Sequence, residues 1–192
     1  MKDNKKREIQ QIALDLFRQE TYEKVSVNQI AKAAGISKNT FYYYFTSKEE
    51  LVRDILRPEL FIDEDVIIQL SALDDPLEQI HALNESMIRY FVKLGKPIVK
   101  VAFRANLNNE FPIVEKDNYH ELPMIMKITM NFFKRAIEAK VIRTDLKAHQ
   151  LMALTGVILF GVLQMWASAP RELDLEKFFM GQIDAVLCVK KA

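Results

Sequence analysis

Only one cysteine, Cys188, stands in this sequence, so no internal disulfide can hold the fold. It lies among Ile183, Val186, Leu187 and Val189 and reads as a buried, inert thiol; Lys190 and Lys191 are the only neighbours that would favour a thiolate. Glycine is scarce. Five residues in all form neither a phosphate-cradling loop nor a G-x-S-x-G elbow. The three histidines, His81, His120 and His149, are far apart and share no metal-ligand spacing. Paired acids such as Asp74 and Asp75 are explained by helix starts. These absences leave no enzyme class supported and predict neither metal nor cofactor. No apolar stretch follows Met1, so no signal peptide is expected. The most apolar run, Leu151 to Trp166, carries Thr155 and Gln164 and reads as too short and too interrupted to span a bilayer. The expected location is the cytoplasm. Strand-like alternation and internal repeats are missing too, which leaves an all-α fold.

What is present suits a globule with a substantial core: 49% of the 192 residues are hydrophobic and 28% charged. A net charge of +1 argues against a nonspecific polycation. Its distribution is uneven. Residues 1–57 hold 11 Lys+Arg against 8 Asp+Glu, and the remainder 16 against 18. The mildly basic end is the N-terminal one, where phosphate contact is most plausible on charge.

The organising stretch is Ser26 to Lys48. Ser26 followed by Gln29 fits a capping box, and Val27, Ile30, Ala31 and Ala34 follow at helical spacing. Gly35 can take a positive φ and turn the chain sharply. Ser37 can cap a second helix, Lys38 to Phe45, on which Phe41 and Phe45 share one face. This is the pattern of a helix-turn-helix, whose second helix enters the DNA major groove. With the phenylalanines inward, Asn39, Tyr42 and Tyr43 face outward and Thr40 lies at the edge. Asn39 suits a bidentate contact to adenine, and Thr40 a phosphate or a thymine methyl. Tyr42 and Tyr43 can reach phosphates, and Ser37 with the helix start offers an anion site. Thr46 or Ser47 can cap a third helix, where Lys48 adds a charge for another phosphate. Asn28, on the first helix of the pair, can reach a base or a phosphate.

Residues 7–56 resemble the N-terminal domain of the TetR family, the tetracycline-repressor-like bacterial transcription regulators. The resemblance rests on Ala13 and Phe17, on Val25 to Ala31, on Ala34 to Lys38, on Thr40 to Tyr42 with Phe45, and on Ser47 to Leu51. It implies an all-helical, dimeric, ligand-responsive repressor. By position it places DNA contacts on Ser37, Lys38, Thr40, Tyr42, Tyr43 and Lys48, with one near Asn28. Thr21 stands where the family often has glycine, and Asn39 where it often has a small residue.

The rest of the chain reads as helices. Met1 to Lys5 is polar and is expected to be loose; Lys2, Lys5, Lys6 and Arg7 could lie along a DNA backbone. A stripe of Ile9, Ile12, Ala13, Leu16 and Phe17 predicts a helix over Lys6 to Gln19. Glu49 to Leu60 continues the third element of the helix-turn-helix region, with Pro58 ending or bending it. Leu60 to Leu73 follows. Asp75 and Pro76 mark the start of a helix reaching about Leu94, and Gly95 and Pro97 break it. Ile98 to Leu107 is expected as a short helix, Asn108 to Leu122 as a loop, and Pro123 to Lys140 as a long helix. Asp145 is expected to cap Leu146 to Ser168, and Leu173 to Val189 is the last helix. The domains are therefore residues 1–50, which bind DNA, and 51–192, which bind a ligand and dimerise.

The last two helices are apolar on more than one face. Ala153, Gly156 and Gly161 alternate with Leu154, Val157, Phe160, Leu163 and Trp166. A partner chain is expected to cover one side, giving a homodimer through about 146–168 and 173–189. The body is also rich in methionine and phenylalanine. Such residues fill cores and equally line promiscuous apolar sites. Met87, Phe91, Phe103, Met126 and Met130 are the candidate ligand contacts, with His81, Asn84, Arg89, Arg104, His120 and Gln164 able to orient a small apolar or amphipathic effector. The expected function is a ligand-responsive regulator, a repressor, on a palindromic double-stranded operator. The alternative is a small-molecule or protein-interaction module that binds no operator.

Overall fold

The computed structural model describes residues 2–54, 62, 64–106, 122, 124–169 and 173–189. Ten helices follow one another among them, with no strand, as the sequence predicts: α1 Lys2–Gln19, α2 Val27–Ala33, α3 Lys38–Tyr44, α4 Lys48–Arg53, α5 Glu64–Ser71, α6 Pro76–Leu94, α7 Lys96–Asn106, α8 Met124–Glu138, α9 Ala148–Ser168 and α10 Leu175–Leu187. The expected continuation of α4 to residue 60, the loop over 108–121, and Pro58, Pro123 and Pro170 lie outside the described residues.

The described residues form two compact units. One holds 2–54 and 94–106, the other 64–93, 124–169 and 173–189. In the first, α1 packs on α2, α2 on α3, and α4 on α7. Ile9, Ala13 and Phe17 of α1, Ile30 and Ala31 of α2, Phe41 and Phe45, Leu51 and Val52 of α4, and Val99 and Ala102 of α7 are all buried. The polar start of the chain, expected to be loose, is instead the first turn of α1. Lys5 pairs with Glu8 one turn on at 2.8 Å, and Lys6 reaches the nearly buried Asp54 at 2.7 Å. Both cations are thereby held by carboxylates of their own unit. Thr21 is not among the residues at positive φ, so the turn makes no demand for glycine there, and its carbonyl accepts from the N–H groups of Lys24 and Val25.

In the second unit α9 packs on both α8 and α10. The Asp75 carboxylate accepts from the Leu77 N–H at 2.9 Å, so α6 starts as predicted. Gly95, at φ +84, ends it. α9 is long and apolar enough to cross a membrane by length and composition alone, a longer element than the 151–166 run suggested. Its Leu151, Met152, Leu159, Val162, Leu163 and Trp166 are buried, so protein covers that face.

Two local expectations fail here. Asp145 does not cap α9: both its oxygens are taken by Arg143, at 2.7 Å from Nε and 2.6 Å from Nη2. α9 starts after Lys147, whose N–H donates to the Gln150 side chain at 2.9 Å. Arg143 in turn closes the C-terminus of α10, donating its backbone N–H to the Leu187 carbonyl at 2.8 Å and Nη1 to the Val186 carbonyl at 3.3 Å. Cys188 is exposed, not buried. The buried stripe of α10 runs Leu175, Phe179, Ile183, Leu187, and the helix ends at the next residue in the left-handed region, φ 53. That conformation favours glycine. Cys188→Gly is therefore expected to raise unfolding free energy by about 0.5–1 kcal/mol, measured by urea titration. An unchanged or lower midpoint would show that the left-handed cap is not strained.

Candidate nucleic-acid interface

Short-range hydrogen bonds build the interface. The Ser26 hydroxyl accepts from the Gln29 N–H at 3.2 Å, and the Gln29 side chain accepts from the Ser26 N–H at 2.8 Å, a closed capping box. Ala34 ends α2, and Gly35 turns the chain at φ +63. Ser37 then caps α3, accepting from the Thr40 N–H at 3.0 Å, with the Thr40 hydroxyl 2.8 Å from its own. Ser47 caps α4 through the Glu50 N–H at 3.0 Å. Three serines thus set three helix starts within one segment.

Packing decides which way α3 faces. Phe41 is 0% and Phe45 1% exposed, with ring centroids 5.6 Å apart. Opposite them Tyr42 is 45% and Tyr43 65% exposed. Asn28, Ser37, Lys38 and Asn39 are exposed and Thr40 is half-buried. One side of the segment therefore presents a primary amide, hydroxyls, phenols and an ammonium, groups that match phosphate oxygens and base edges.

Lys48 sits differently. Its Nζ donates to the Tyr22 carbonyl at 2.6 Å and the Val25 carbonyl at 2.9 Å, and lies 4.1 Å over the Tyr22 ring. The Tyr22 hydroxyl donates to Glu49 Oε1 at 3.0 Å, and its ring meets Phe17 edge-on at 5.2 Å. Burial, and then the carboxylate of Glu49, push the Tyr22 phenol well above its usual range, so it remains a donor. Sequence reasoning missed Tyr22 and Glu49. The local signal that could have found them is the aromatic ring of Tyr22 closely following Phe17.

Glu50 closes the corner between α3 and α4, accepting from the Thr46 hydroxyl at 2.6 Å and from its N–H. Burial opposes its charge, but the Thr46 bonds and the charges of Arg53 and Lys6 outweigh it and hold the carboxyl below its usual value of 4.5. The folded pKa is the lower one. The contribution is therefore complete above 4.5 and is lost as pH falls through the depressed value. Glu50→Gln is expected to flatten the acid limb of a thermal-midpoint curve; a limb as steep as that of the unmodified chain would contradict this.

The candidate ligand residues are less concentrated. Phe91 is fully buried and Met130 nearly so, while Met87, Phe103 and Met126 are half-buried. Two clefts open on the second unit. One of about 430 Å³ is lined by Ser71, Gln79, Lys127, Asn131 and Arg135 with Ile128 and Phe132. The other, about 370 Å³, includes Met130, Ile137, Leu146 and His149. Of the five candidates only Met130 lines either one. His81 Nε2 lies 2.9 Å from Asp184 Oδ1, Arg89 pairs with Glu85 at 2.7 Å, and Asn84 is buried, donating to the Ile80 carbonyl at 2.7 Å. Gln164 is exposed, and His120 lies outside the described residues.

Comparison with known proteins places this interface in context. Residues 9–55 match the model of a family described as bacterial regulatory proteins, tetR family. The chain is 26% identical over 174 residues to the HTH-type transcriptional regulator AcrR of Shigella flexneri, covering 86% of this chain and 80% of that one. It is 45% identical over 58 residues to the HTH-type transcriptional regulator RutR of Escherichia coli K12, a match spanning 30% of this chain and 27% of RutR. The fold is similar to that of Thermus thermophilus FadR, a transcriptional repressor crystallised with lauroyl-CoA: TM-score 0.67, 22% identity, 97% of each chain. Bacillus halodurans FadR, a fatty acid degradation regulator, gives a TM-score of 0.65 at 17% identity over 94% of this chain and 96% of that one.

Proposed function

We propose, from the premise that this chain belongs to the TetR family of bacterial transcriptional regulators, that it is a cytoplasmic homodimeric repressor which binds a palindromic operator and is released by a small apolar or amphipathic effector. Residues 1–50 are the proposed DNA-binding part and 51–192 the proposed effector and dimer part, although the end of α4 beyond residue 50 and all of α7 belong to the first compact unit. The observation that carries the reading is the orientation of α3, with Phe41 and Phe45 inward and its amide and phenols outward. Asn28, Ser37, Lys38, Asn39, Thr40, Tyr42 and Tyr43 are the proposed contacts. Asn39 reads a base and the others hold phosphates or groove walls. Lys48 belongs to the same region, at the first residue of α4.

The dimer proposal rests on α9. Leu154, Val157 and Gly161 follow at helical spacing along its exposed side, with Val157 70% and Met165 57% exposed. A Cβ added at Gly156, Gly161 or Gly181 meets nothing within 4 Å, so packing within one chain does not require their smallness. An exposed apolar stripe whose small residues are idle in the single chain suits close approach of a second copy of α9 and α10. Within the second unit the effector would contact Met130, which borders a cleft, with Met87, Phe91 and Met126 as the further candidates; Phe103 belongs to the other unit. The FadR neighbour with lauroyl-CoA is a precedent for a ligand with a long apolar part. Its binding would favour one of two head arrangements and lower operator affinity by that difference.

A gel shift with genomic fragments at physiological salt tests the reading. One or a few fragments are expected to be retained over bulk DNA, and Asn39→Ala is expected to change which are preferred, at a cost of about 1–3 kcal/mol for the preferred one. If no fragment is retained, the chain is an effector- or protein-binding module instead. Equal weakening on every fragment would remove Asn39 from base recognition.

A further inference from the structure

Val25 and Lys48 stand 23 positions apart and immediately flank the segment 26–47 that carries α2, the Gly35 corner and α3. The structure assigns Lys48, with Tyr22 and Glu49, the role of a positioning brace that closes this segment at its mouth, so that Lys48 supports operator recognition through the geometry of α2 and α3 and not by touching a phosphate. This rests on the reading of residues 1–50 as a DNA-binding head.

An ammonium has three donors and no acceptor. Two donors of Lys48 are committed to the carbonyls of Tyr22 and Val25, and its charge lies over the Tyr22 ring, all in a half-buried position. A cation engaged in this way has little left for a phosphate outside. Next comes the placement of those carbonyls. They belong to the turn that leads into Ser26, the cap of α2, whereas Lys48 is the first residue of α4. The bonds tie the entrance of the reading segment to its exit. Beside them the Tyr22 hydroxyl donates to Glu49, a second link between the same turn and the same helix. Tyr22 is itself fixed against Phe17, so the mouth is anchored to α1. A flexible segment closed at both ends loses conformational freedom that its own two short helices cannot remove. Contacts to bases and phosphates require placement within about 0.5 Å, which short unbraced helices do not hold.

The test uses the full chain and the genomic fragment it retains best in the gel shift. Lys48→Met keeps the apolar stem and removes the ammonium. Tyr22→Phe keeps the ring and removes the bond to Glu49. Affinity is measured against salt, at a temperature where circular dichroism shows each variant folded, and amide exchange is followed over residues 26–47 with 64–93 as internal reference. Lys48→Met is expected to weaken binding about tenfold with the salt slope unchanged, and Tyr22→Phe several-fold in the same manner, while exchange accelerates over 26–47 alone. A lost phosphate contact instead shrinks the slope by about 0.9 per protomer, and that result overturns the proposal. So does unchanged affinity, whatever exchange shows. Should the unmodified chain retain no fragment, the repressor reading falls by itself. The brace then stands if Lys48→Met speeds exchange over 26–47 and falls if it does not. Lys48→Arg, which can still donate to both carbonyls, is expected to recover most of the loss; no recovery counts against the brace. If Lys48→Met does not fold, the Tyr22→Phe slope decides.

Discussion

Phe41→Ala is expected to cost about 3–5 kcal/mol of stability in the unit that holds α1 to α4 and to abolish operator binding. The side chain is fully buried, packs against Phe45 with centroids 5.6 Å apart, and meets the Tyr42 ring edge-on at 5.6 Å. Truncation leaves a cavity in a small core, and α3 is only seven residues long, too short to persist without its anchor. The matched control is Tyr43→Ala. Its ring is 65% exposed, so stability should change by no more than about 0.5 kcal/mol while DNA affinity falls. The optical probe matters: the single tryptophan, Trp166, lies in the other unit, so circular dichroism is needed to see the head unfold. If Phe41→Ala unfolds with the unmodified midpoint, the inward anchor is not what holds α3.

The second large effect concerns the exposed side of α9. Val157→Glu places a carboxylate on the apolar stripe where Val157 is 70% exposed. In a single chain the substitution meets solvent and changes little. Across a two-fold interface it is pressed against the apolar surface of the second copy and buries charge without a partner. Sedimentation is expected to show a dimer for the unmodified chain and a monomer for the variant. Operator affinity is expected to fall about 100-fold or more, because two linked heads become two independent ones. A dimer that persists with full affinity would move the interface away from α9.

Much of the head was legible because its signals are local. Ser26, Ser37 and Ser47 each bond a backbone N–H three residues on, and Gly35 needs no partner to turn. The facing of α3 followed from the spacing of Phe41 and Phe45, and the Asp75–Pro76 start from the same kind of short-range chemistry. What misled were competing partners and helix ends that capping and periodicity rules do not register. Asp145 looks like a cap until Arg143 takes both its oxygens. Lys48 looks like a free cation until the fold brings the carbonyls of Tyr22 and Val25 to it. Cys188 sits in an apolar stretch, yet the helix ends there and turns it outward. Lys6 appeared unattached because its partner, Asp54, is far off in sequence, whereas the partner of Lys5, Glu8, stands only three residues on. Methionine and phenylalanine content could not say which residues line a cleft, because a core and a cavity wall use the same side chains. Of the five chosen, Met130 alone borders either of the two clefts described above.

The central claim is that the outward face of α3 reads DNA as one of a symmetric pair. Hydroxyl-radical footprinting of the full chain on its best-retained fragment tests this most directly. The account predicts two protected patches related by two-fold symmetry, with centres about 34–36 Å apart or a multiple of that spacing. Uniform protection, or a single unpaired patch, would contradict it.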